Sequence, residues 1–204
     1  MNKSDFDLVH QNQNVESKIV AALERISQAF RVLLWQESKE FSLSPIQVQV
    51  LIFLLHHSPE KRKVSYIADE FNMTKPTISD TLKALEQKNL IAKEYEKTDT
   101  RSYYIHLTKK GKDLATKISF FADEIRTPID KLHPGDKENM LLSLFGIINH
   151  LNHAGVITIQ RMCLCCAHYQ TSQNGQKHFC KLLNKPLSIP DLRIDCTEFE
   201  KNMS

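Results

Sequence analysis

Hydrophobic residues in the first part of the chain recur at intervals of three and four positions, which is the spacing of one face of an α-helix. One such stripe consists of Ile19, Leu23, Ile26, Phe30 and Leu33. It predicts a long helix over residues 15–39 with a heptad-like seam that is suited to packing along another helix. The same spacing is common where a helix faces an internal core, so the stripe favours dimerisation without requiring it.

The next apolar segment predicts a core helix. Ser44 and Pro45 have the character of an N-cap followed by a first-turn proline. The helix that they begin is expected to run to His56 and is apolar on nearly every side, which is typical of a central core element.

Two shorter amphipathic helices are predicted after it, over residues 64–71 and from Thr74 to about Lys88, with a break at Asn72. Thr74 is a suitable N-cap for the second helix, and Pro76 is tolerated in its first turn. The apolar face of this second helix consists of Ile78, Leu82 and Leu85. Two short helices joined by a tight turn form a helix-turn-helix pattern.

Two strands are predicted directly after the helix-turn-helix, over residues 90–95 and 102–107. The second strand alternates apolar and polar positions, and a polar, basic loop separates it from the first. A hairpin in this position forms a wing.

The chain is expected to become helical again after the hairpin. Thr108 is the predicted N-cap of a long helix that runs to about Thr127, where Pro128 is expected to end or kink it. After a predicted loop over residues 133–136, a last helix carries apolar residues as far as Leu151.

Charge is distributed unevenly along the chain. The 204 residues include 27 Lys and Arg and 24 Asp and Glu, which gives a net charge of +3. Residues 61–112 contain 12 basic and 7 acidic residues and have a net charge of +5, whereas the rest of the chain has a net charge of −2. The helix-turn-helix and the hairpin are therefore the place to expect a polyanionic partner. A solvated surface that binds nothing can carry a similar charge.

Several classes of protein are disfavoured. The N-terminus has no apolar segment of the kind found in signal peptides, and the longest apolar run, residues 50–55, is too short to cross a bilayer. The protein is therefore expected to be cytoplasmic and to have no membrane partner. The five glycines are isolated, and neither G-x-S-x-G nor H-E-x-x-H occurs. We do not expect an enzyme.

Five short segments, taken in order, resemble the MarR family of bacterial winged helix-turn-helix regulators. They are IADEF at 67–71, MTKPTIS at 73–79, LEQKNLI at 85–91, DTRS at 99–102 and LTKKG at 107–111. The resemblance extends over roughly residues 15–153. It implies a homodimer built from the terminal helices, a recognition helix in the major groove of double-stranded DNA and a wing that reaches the minor groove.

The residues predicted to contact DNA lie on the outer face of the second short helix and in the hairpin loop. Hydroxyl groups on the helix can donate to phosphates or base edges, and the lysines add positive charge. Asp99 can hold the guanidinium of Arg101 in place through paired hydrogen bonds, a pairing that the family resemblance also supports. The predicted set is Thr74, Lys75, Pro76, Thr77, Ser79, Asp80, Lys83, Lys97, Asp99 and Arg101.

Asp80 is unexpected in this set, because an acidic side chain facing DNA repels phosphate. It can accept a hydrogen bond from cytosine N4 and thereby specify a base. Alternatively it pairs with Lys83 or Lys75 and points aside, which is the interpretation that we favour.

All five cysteines fall in the last 42 residues. Cytosolic thiols normally stay reduced, so a metal site is favoured over disulfides. The spacing C-x2-C-x13-C-x15-C lets the first pair clamp a metal ion that the two distant thiols complete, and the predicted ligands are Cys163, Cys166, Cys180 and Cys196. Cys165 is expected to lie on a turn, to face outward and to be dispensable.

Three interpretations of the cysteines remain open. Structural zinc is favoured, because a segment with few large apolar residues needs such a constraint to fold. An iron–sulfur cluster also takes four cysteines, and a metal-free redox switch could use Cys165 as its spare thiol.

The sequence therefore predicts a mainly α protein with a small β wing: a winged helix-turn-helix with long dimerisation helices over residues 1–155, and a cysteine-rich, metal-binding appendage over residues 156–204. The predicted function is that of a homodimeric transcriptional repressor that binds a pseudo-palindromic operator. Its effector is either a small molecule or the redox or metal state of the cysteines. The alternative is a thiol or metal redox protein, or a metal carrier, in which the winged helix mediates protein contacts.

Overall fold

The structure is a computed structural model in which residues 3–95, 103–171 and 178–201 are described. Most of these residues are helical, which confirms the predicted fold class of a mainly α protein with a β wing. The first helices and the wing strands are α1 (Leu8–Gln13), α2 (Val15–Glu40), α3 (Pro45–His56), α4 (Val64–Glu70), α5 (Lys75–Gln87), β1 (Ile91–Tyr95) and β2 (Tyr103–Leu107). The later elements are α6 (Lys109–Ile118), α7 (Asp123–Asp130), α8 (Pro134–His153), β3 (Tyr169–Gln170), β4 (Phe179–Cys180) and β5 (Lys185–Pro186).

The chain divides into two compact units. The first contains residues 1–67 and 75–126, and the second contains residues 68–74 and 127–204. This division places α8 with the cysteine-rich segment, whereas the sequence suggested a boundary after residue 155. The division into a regulator domain over 1–155 and an extension over 156–204 remains a prediction about function.

The core of the first unit is built around α3. Ser44 caps this helix as predicted: its hydroxyl accepts a hydrogen bond from the Gln47 N–H at 3.3 Å, and its own N–H donates to the Gln47 side chain at 3.0 Å. The helix packs against α6 and β2 and contributes the fully buried Val48, Leu51 and Leu54. Its nearly uniform hydrophobicity is explained by this central position.

The helix predicted from residue 108 to residue 127 is two helices, so that prediction was wrong in its length. Thr108 is the N-cap, because its hydroxyl accepts the Gly111 N–H at 3.0 Å. The helix ends at Ile118, and shorter-range hydrogen bonds, from Phe120 N–H to the Lys117 carbonyl and from Phe121 N–H to the Ile118 carbonyl, replace the helical pattern after it. Pro128 lies inside α7, near its end, rather than after the end of a long helix.

The core of the second unit joins α8 to the cysteine-rich segment. Its buried residues are Phe145, Met162, Leu187 and Leu192. The predicted loop over residues 133–136 is instead the first turn of α8, since His133 is the N-cap and Pro134 is tolerated at the first helical position. Gly155, with a φ of 73°, follows the end of this helix.

Helix α1 precedes the first helix that the periodicity indicated. Asp7 caps it by accepting the His10 N–H at 2.8 Å. Within the described ranges, every helix is too short or too polar to cross a membrane.

Candidate functional site

Helix α5 has one buried and one exposed face, as the sequence predicted. Ile78, Leu82 and Leu85 are fully buried. Thr81 is buried beside them, and its hydroxyl donates to the Thr77 carbonyl at 2.9 Å. Ser79 is half-buried, and the exposed predicted contacts are Thr74, Lys75, Pro76, Thr77, Asp80 and Lys83. The side chains on the exposed face of α5 therefore present a mainly polar surface to solvent.

Asp80 pairs with Lys83 on this surface. The two side chains are separated by 3.6 Å between Oδ1 and Nζ, and both are largely exposed. An exposed pair at this spacing contributes little to stability. Each of the two charges is therefore partly compensated by the other. This agrees with the interpretation favoured from the sequence, in which Asp80 pairs with a lysine.

Left-handed residues define both ends of the segment that carries α5. Asn72 in the preceding turn has a φ of 49°, and Met73 N–H donates to the Ala68 carbonyl at 2.8 Å. After the helix, Asn89 has a φ of 56°, and Leu90 N–H donates to the Leu85 carbonyl at 3.0 Å. Asparagine tolerates this conformation better than most residues, so both turns are encoded locally.

The strands β1 and β2 form the antiparallel hairpin, in which Ile91 pairs with Leu107 and Tyr95 with Tyr103. Lys93 on β1 bonds Glu86 of α5 at 2.6 Å, which anchors the hairpin to the helix. This hydrogen bond raises the pKa of the Lys93 ammonium. The other three predicted DNA contacts, Lys97, Asp99 and Arg101, lie outside the described residues, in the loop that joins the two strands.

The order of these elements agrees with a known family. Residues 41–102, which include α3, α4, α5 and β1, match the model of the MarR family. The chain carries a MarR-family domain. The resemblance found from short segments of sequence is thereby confirmed.

The MarR-family domain has named relatives among bacterial regulators. The chain is 32% identical over 87 residues to the HTH-type transcriptional regulator MgrA of Staphylococcus aureus, a match that covers 43% of this chain and 58% of MgrA. It is 26% identical over 119 residues to the uncharacterized HTH-type transcriptional regulator YkoM of Bacillus subtilis, covering 58% of this chain and 76% of YkoM. The chain thus spans less than two thirds of the length of MgrA. These relatives are transcription regulators, in agreement with the prediction that the chain is not an enzyme.

Solved structures of similar fold include a complex with DNA. The crystal structure of the Staphylococcus aureus MepR–DNA complex has a TM-score of 0.57 and 27% identity, and it covers 65% of this chain and 97% of MepR. The structure of MepR in its DNA-binding conformation has the same TM-score of 0.57 and covers 65% of this chain. The winged-helix fold of the MarR-family domain is therefore established.

The four predicted metal ligands line one cavity in the second unit, beyond the end of the family match. We call it the cysteine pocket; it has a volume of about 300 Å³, and its thiols belong to Cys163, Cys166, Cys180 and Cys196. All four cysteines are free thiols. The structure thus brings together residues that are as far as 33 positions apart in the sequence.

Backbone hydrogen bonds join the segments that carry these thiols. Cys163 lies on a 3-10 turn, and its N–H donates to the Arg193 carbonyl at 3.0 Å. Cys196 N–H donates to the Arg161 carbonyl at 3.0 Å, and Cys180 lies on the central strand of the sheet β3–β4–β5. The positions of all four cysteines are therefore set by regular backbone contacts.

Hydrogen-bond donors reach two of the sulfur atoms in the cysteine pocket. Arg193 N–H donates to Cys163 Sγ at 3.2 Å, and Arg193 Nη1 lies 3.5 Å from Cys196 Sγ. Burial raises the pKa of the Cys163 thiol, and the neighbouring Cys196, Cys166 and Cys180 raise it further.

The side chains do not form a closed coordination sphere. Among the residues that the structure describes, no group of three or more His, Cys, Asp and Glu side chains is arranged to hold a metal ion. The fit to a metal rests on donor chemistry, since four thiols around one cavity are the donor set that zinc and iron–sulfur clusters use. The metal assignment remains a proposal.

Cys165 points away from the cysteine pocket. It lies on a turn, as predicted, but its thiol donates to Asn149 Oδ1 of α8 at 3.1 Å and packs against the core of the second unit. The expectation that it faces outward was wrong, because the 3-10 turn Cys163–Cys165 directs its side chain towards α8.

Two histidines of the second unit have partners of their own. His168 lines the cysteine pocket, but its Nε2 lies 3.3 Å from Glu200 Oε2. His178 Nδ1 is 2.6 Å from the Tyr169 hydroxyl. These contacts orient both rings within the structure of the second unit.

Arg161, which sequence reasoning missed, is buried between two carboxylates of the second unit. Its Nη1 and Nη2 donate to Glu70 at 2.8 and 3.1 Å. Its Nε and Nη2 donate to Asp195 at 2.6 and 2.8 Å. We call these three residues the arginine clamp. The bond to Asp195, together with those to Glu70, raises the pKa of the guanidinium, so Arg161 stays charged.

A second, more open cavity lies in the first unit. It has a volume of about 730 Å³ and is lined by Phe41, Leu43, Lys88, Leu90, Lys109, Lys110, Asp113, Leu114 and Lys117. Apolar walls with several lysines suit a small aromatic anion. This cavity is a candidate for the effector site expected from the sequence.

Proposed function

We propose that the protein is a DNA-binding transcriptional regulator that acts as a homodimeric repressor on a pseudo-palindromic operator. The exposed polar face of α5 carries this proposal, because it has no role in the core and lies on the second helix of a helix-turn-helix. A relative of the same fold, MepR, has been crystallised in complex with DNA. In this proposal, α5 enters the major groove and the segment between β1 and β2 contacts the backbone or the minor groove.

The exposed surface of α2 supports the homodimer. Only Ser17, Leu34 and Ser38 of this 26-residue helix are buried. On the predicted seam, Ile19 is 50% exposed and Ile26 and Phe30 are each 40% exposed. A contiguous apolar surface of this kind is typical of a protein interface. A second copy of the chain is the partner that a symmetric operator requires.

The regulator is proposed to respond either to a small molecule or to the metal or redox state of the cysteine pocket. The lysine-lined cavity of the first unit supports a response to a small molecule. The four thiols support a response to the metal or redox state.

Selection from random DNA duplexes followed by footprinting tests this function. We expect protection of two half-sites about one helical turn apart, as a two-fold symmetric helix-turn-helix protein produces. Sequence-independent protection by a monomer would instead favour the thiol or metal carrier in which the winged helix binds protein.

Lys75→Ala is expected to weaken DNA binding to a similar extent on all sequences, because an exposed cation at the start of α5 is lost. For the same reason, the slope of the logarithm of the binding constant against the logarithm of the salt concentration should fall in magnitude by about 1. Titration of the selected operator at several salt concentrations measures both quantities. Lys131→Ala, which removes an exposed lysine outside the helix-turn-helix, is the matched control and should bind as the wild type does. Equal salt slopes for the two variants would exclude Lys75 from the interface.

Ile26→Glu is expected to convert the dimer into a monomer, because a charge would be buried on the apolar seam of α2. Analytical ultracentrifugation measures the change. Arg25→Glu alters the neighbouring exposed position and should leave the dimer intact. A wild-type protein that sediments as a monomer, or a dimeric Ile26→Glu variant, would contradict this interface.

A further inference from the structure

The cysteine pocket has the donor set of a soft-metal site. Thiolate sulfur favours zinc over magnesium or calcium, and four thiolates satisfy the tetrahedral coordination of zinc. The four cysteines are free thiols, so their sulfurs are not used in disulfides. The four side chains line one cavity, and zinc binding would require them to turn their sulfurs towards its centre.

The surroundings of the cysteine pocket suit the charge of such a site. Four thiolates and one Zn²⁺ carry a net charge of −2, and the Arg193 guanidinium beside Cys196 partly compensates it. The Arg193 N–H bond to Cys163 Sγ supplies a second donor to sulfur. Hydrogen bonds of this kind stabilise the ionised thiol that a metal requires.

The arginine clamp connects the cysteine pocket to the end of α4, and all three of its residues belong to the second unit. Asp195 directly precedes Cys196, so the segment that positions one pocket thiol also holds one side of Arg161. Glu70 is the last residue of α4 and holds the other side of Arg161. A second contact lies beside the arginine clamp, in which the Thr158 hydroxyl donates to the Asp69 carbonyl at 3.1 Å.

We propose that the cysteine pocket binds one zinc ion and that the arginine clamp transmits zinc binding to the turn of the helix-turn-helix. This proposal rests on the DNA-binding function proposed above. Each thiol releases its proton when zinc binds. The metal then fixes Cys196, which restrains Asp195 and, through Arg161, restrains Glu70.

The restraint acts at the start of the DNA-contacting helix. Glu70 is followed by the turn residues 71–74, and α5 begins at Lys75. If zinc orders this turn before DNA binds, the turn loses less conformational entropy when the complex forms. Zinc is therefore expected to increase operator affinity by about tenfold, a coupling of ordinary size for allosteric proteins.

The ligands are tested with five single Cys→Ser variants of the full chain, purified without oxygen and analysed for zinc, iron and sulfide. The wild type should bind one zinc ion per chain. Substitution of any of the four pocket cysteines should remove the zinc and expose the segment after residue 155 to proteolysis, while Cys165→Ser should retain both properties. Iron and sulfide in the wild type, or loss of metal from the Cys165 variant alone, would overturn the assignment.

The coupling is tested with Glu70→Gln and its matched control Asp69→Asn. Both variants remove one negative charge from the end of α4, but only Glu70 belongs to the arginine clamp. Hydrogen exchange of residues 68–74 is measured with zinc and after its removal by a chelator. Zinc should slow exchange in the wild type and in Asp69→Asn, and it should have no effect there in Glu70→Gln, which should still bind one zinc ion.

Operator affinity is then measured for the same proteins in both metal states. The wild type and Asp69→Asn should gain about tenfold with zinc, and Glu70→Gln should gain nothing. Zinc-dependent exchange or affinity in Glu70→Gln that matches the wild type would overturn the coupling. If no protein binds a selected operator while the exchange pattern is as expected, the DNA-binding function fails and the coupling to the turn stands.

Discussion

Gly111→Ala is expected to lower the free energy of unfolding of the first unit by about 2–3 kcal/mol. A Cβ atom at this position would lie 1.8 Å from the Leu90 carbonyl oxygen and 2.8 Å from the Leu90 carbonyl carbon. Both atoms belong to the backbone, so α6 and the chain entering β1 would have to move apart. The Thr108 hydroxyl, which accepts hydrogen bonds from the Gly111 N–H and donates to the Asn89 carbonyl, leaves little freedom for this movement.

Gly146→Ala is the control for this prediction. Gly146 is also inside a helix, but a Cβ atom there would meet nothing within 4 Å. Alanine should therefore stabilise α8 by up to about 1 kcal/mol through its higher helix propensity. Urea denaturation followed by far-ultraviolet circular dichroism measures both variants. Similar midpoints for the two would show that Gly111 is not a point of close backbone approach.

Arg161→Met is expected to destabilise the second unit by about 3 kcal/mol, at the lower end of the range for breaking a buried ion pair. The methionine preserves much of the apolar stem but leaves Glu70 and Asp195 without their shared cation. The Arg161 side chain is 8% exposed and the Glu70 side chain 19%, whereas Asp195 is 40% exposed and keeps part of its hydration. The cost therefore arises mainly at Glu70.

Hydrogen exchange measures this effect, since it reports on the second unit separately from the first. Amides of Cys163 and Cys196, which bond the segments on either side of the clamp, should lose protection. Arg31→Met removes an exposed arginine that lies 3.6 Å from Glu24, and it should change stability by less than about 1 kcal/mol. Unchanged protection in Arg161→Met would mean that water solvates both carboxylates in the folded protein.

Elements with strong local signals could be predicted from the sequence. The capping residues Ser44 and Thr108 act within three positions of themselves, and their hydrogen bonds are those expected. The apolar stripe of α5 is buried as its periodicity indicated. The break between α6 and α7 was missed, since residues 119–122 contain neither the glycine nor the proline that usually marks the end of a helix.

Spacing alone predicted which cysteines belong together, but not how they are positioned. Cys163 and Cys166 are three residues apart, so a shared cavity was the natural expectation. The direction of Cys165 depends on α8, whose position relative to the turn is not a local property. Sequence reasoning treated this segment as a set of possible metal ligands and therefore overlooked the adjacent charges.

The sequence by itself determined most of the helices, the hairpin and the family resemblance, because periodicity, capping and turn residues act over a few positions. Only the tertiary structure decided that Arg161 joins Asp195 to Glu70, which precedes Arg161 by 91 positions in the sequence. A buried arginine can choose among many carboxylates, and nothing local marks the two that it binds. Long-range ion pairs form when packing brings charges together, so the contact between Arg161 and the end of α4 became visible only in the folded chain.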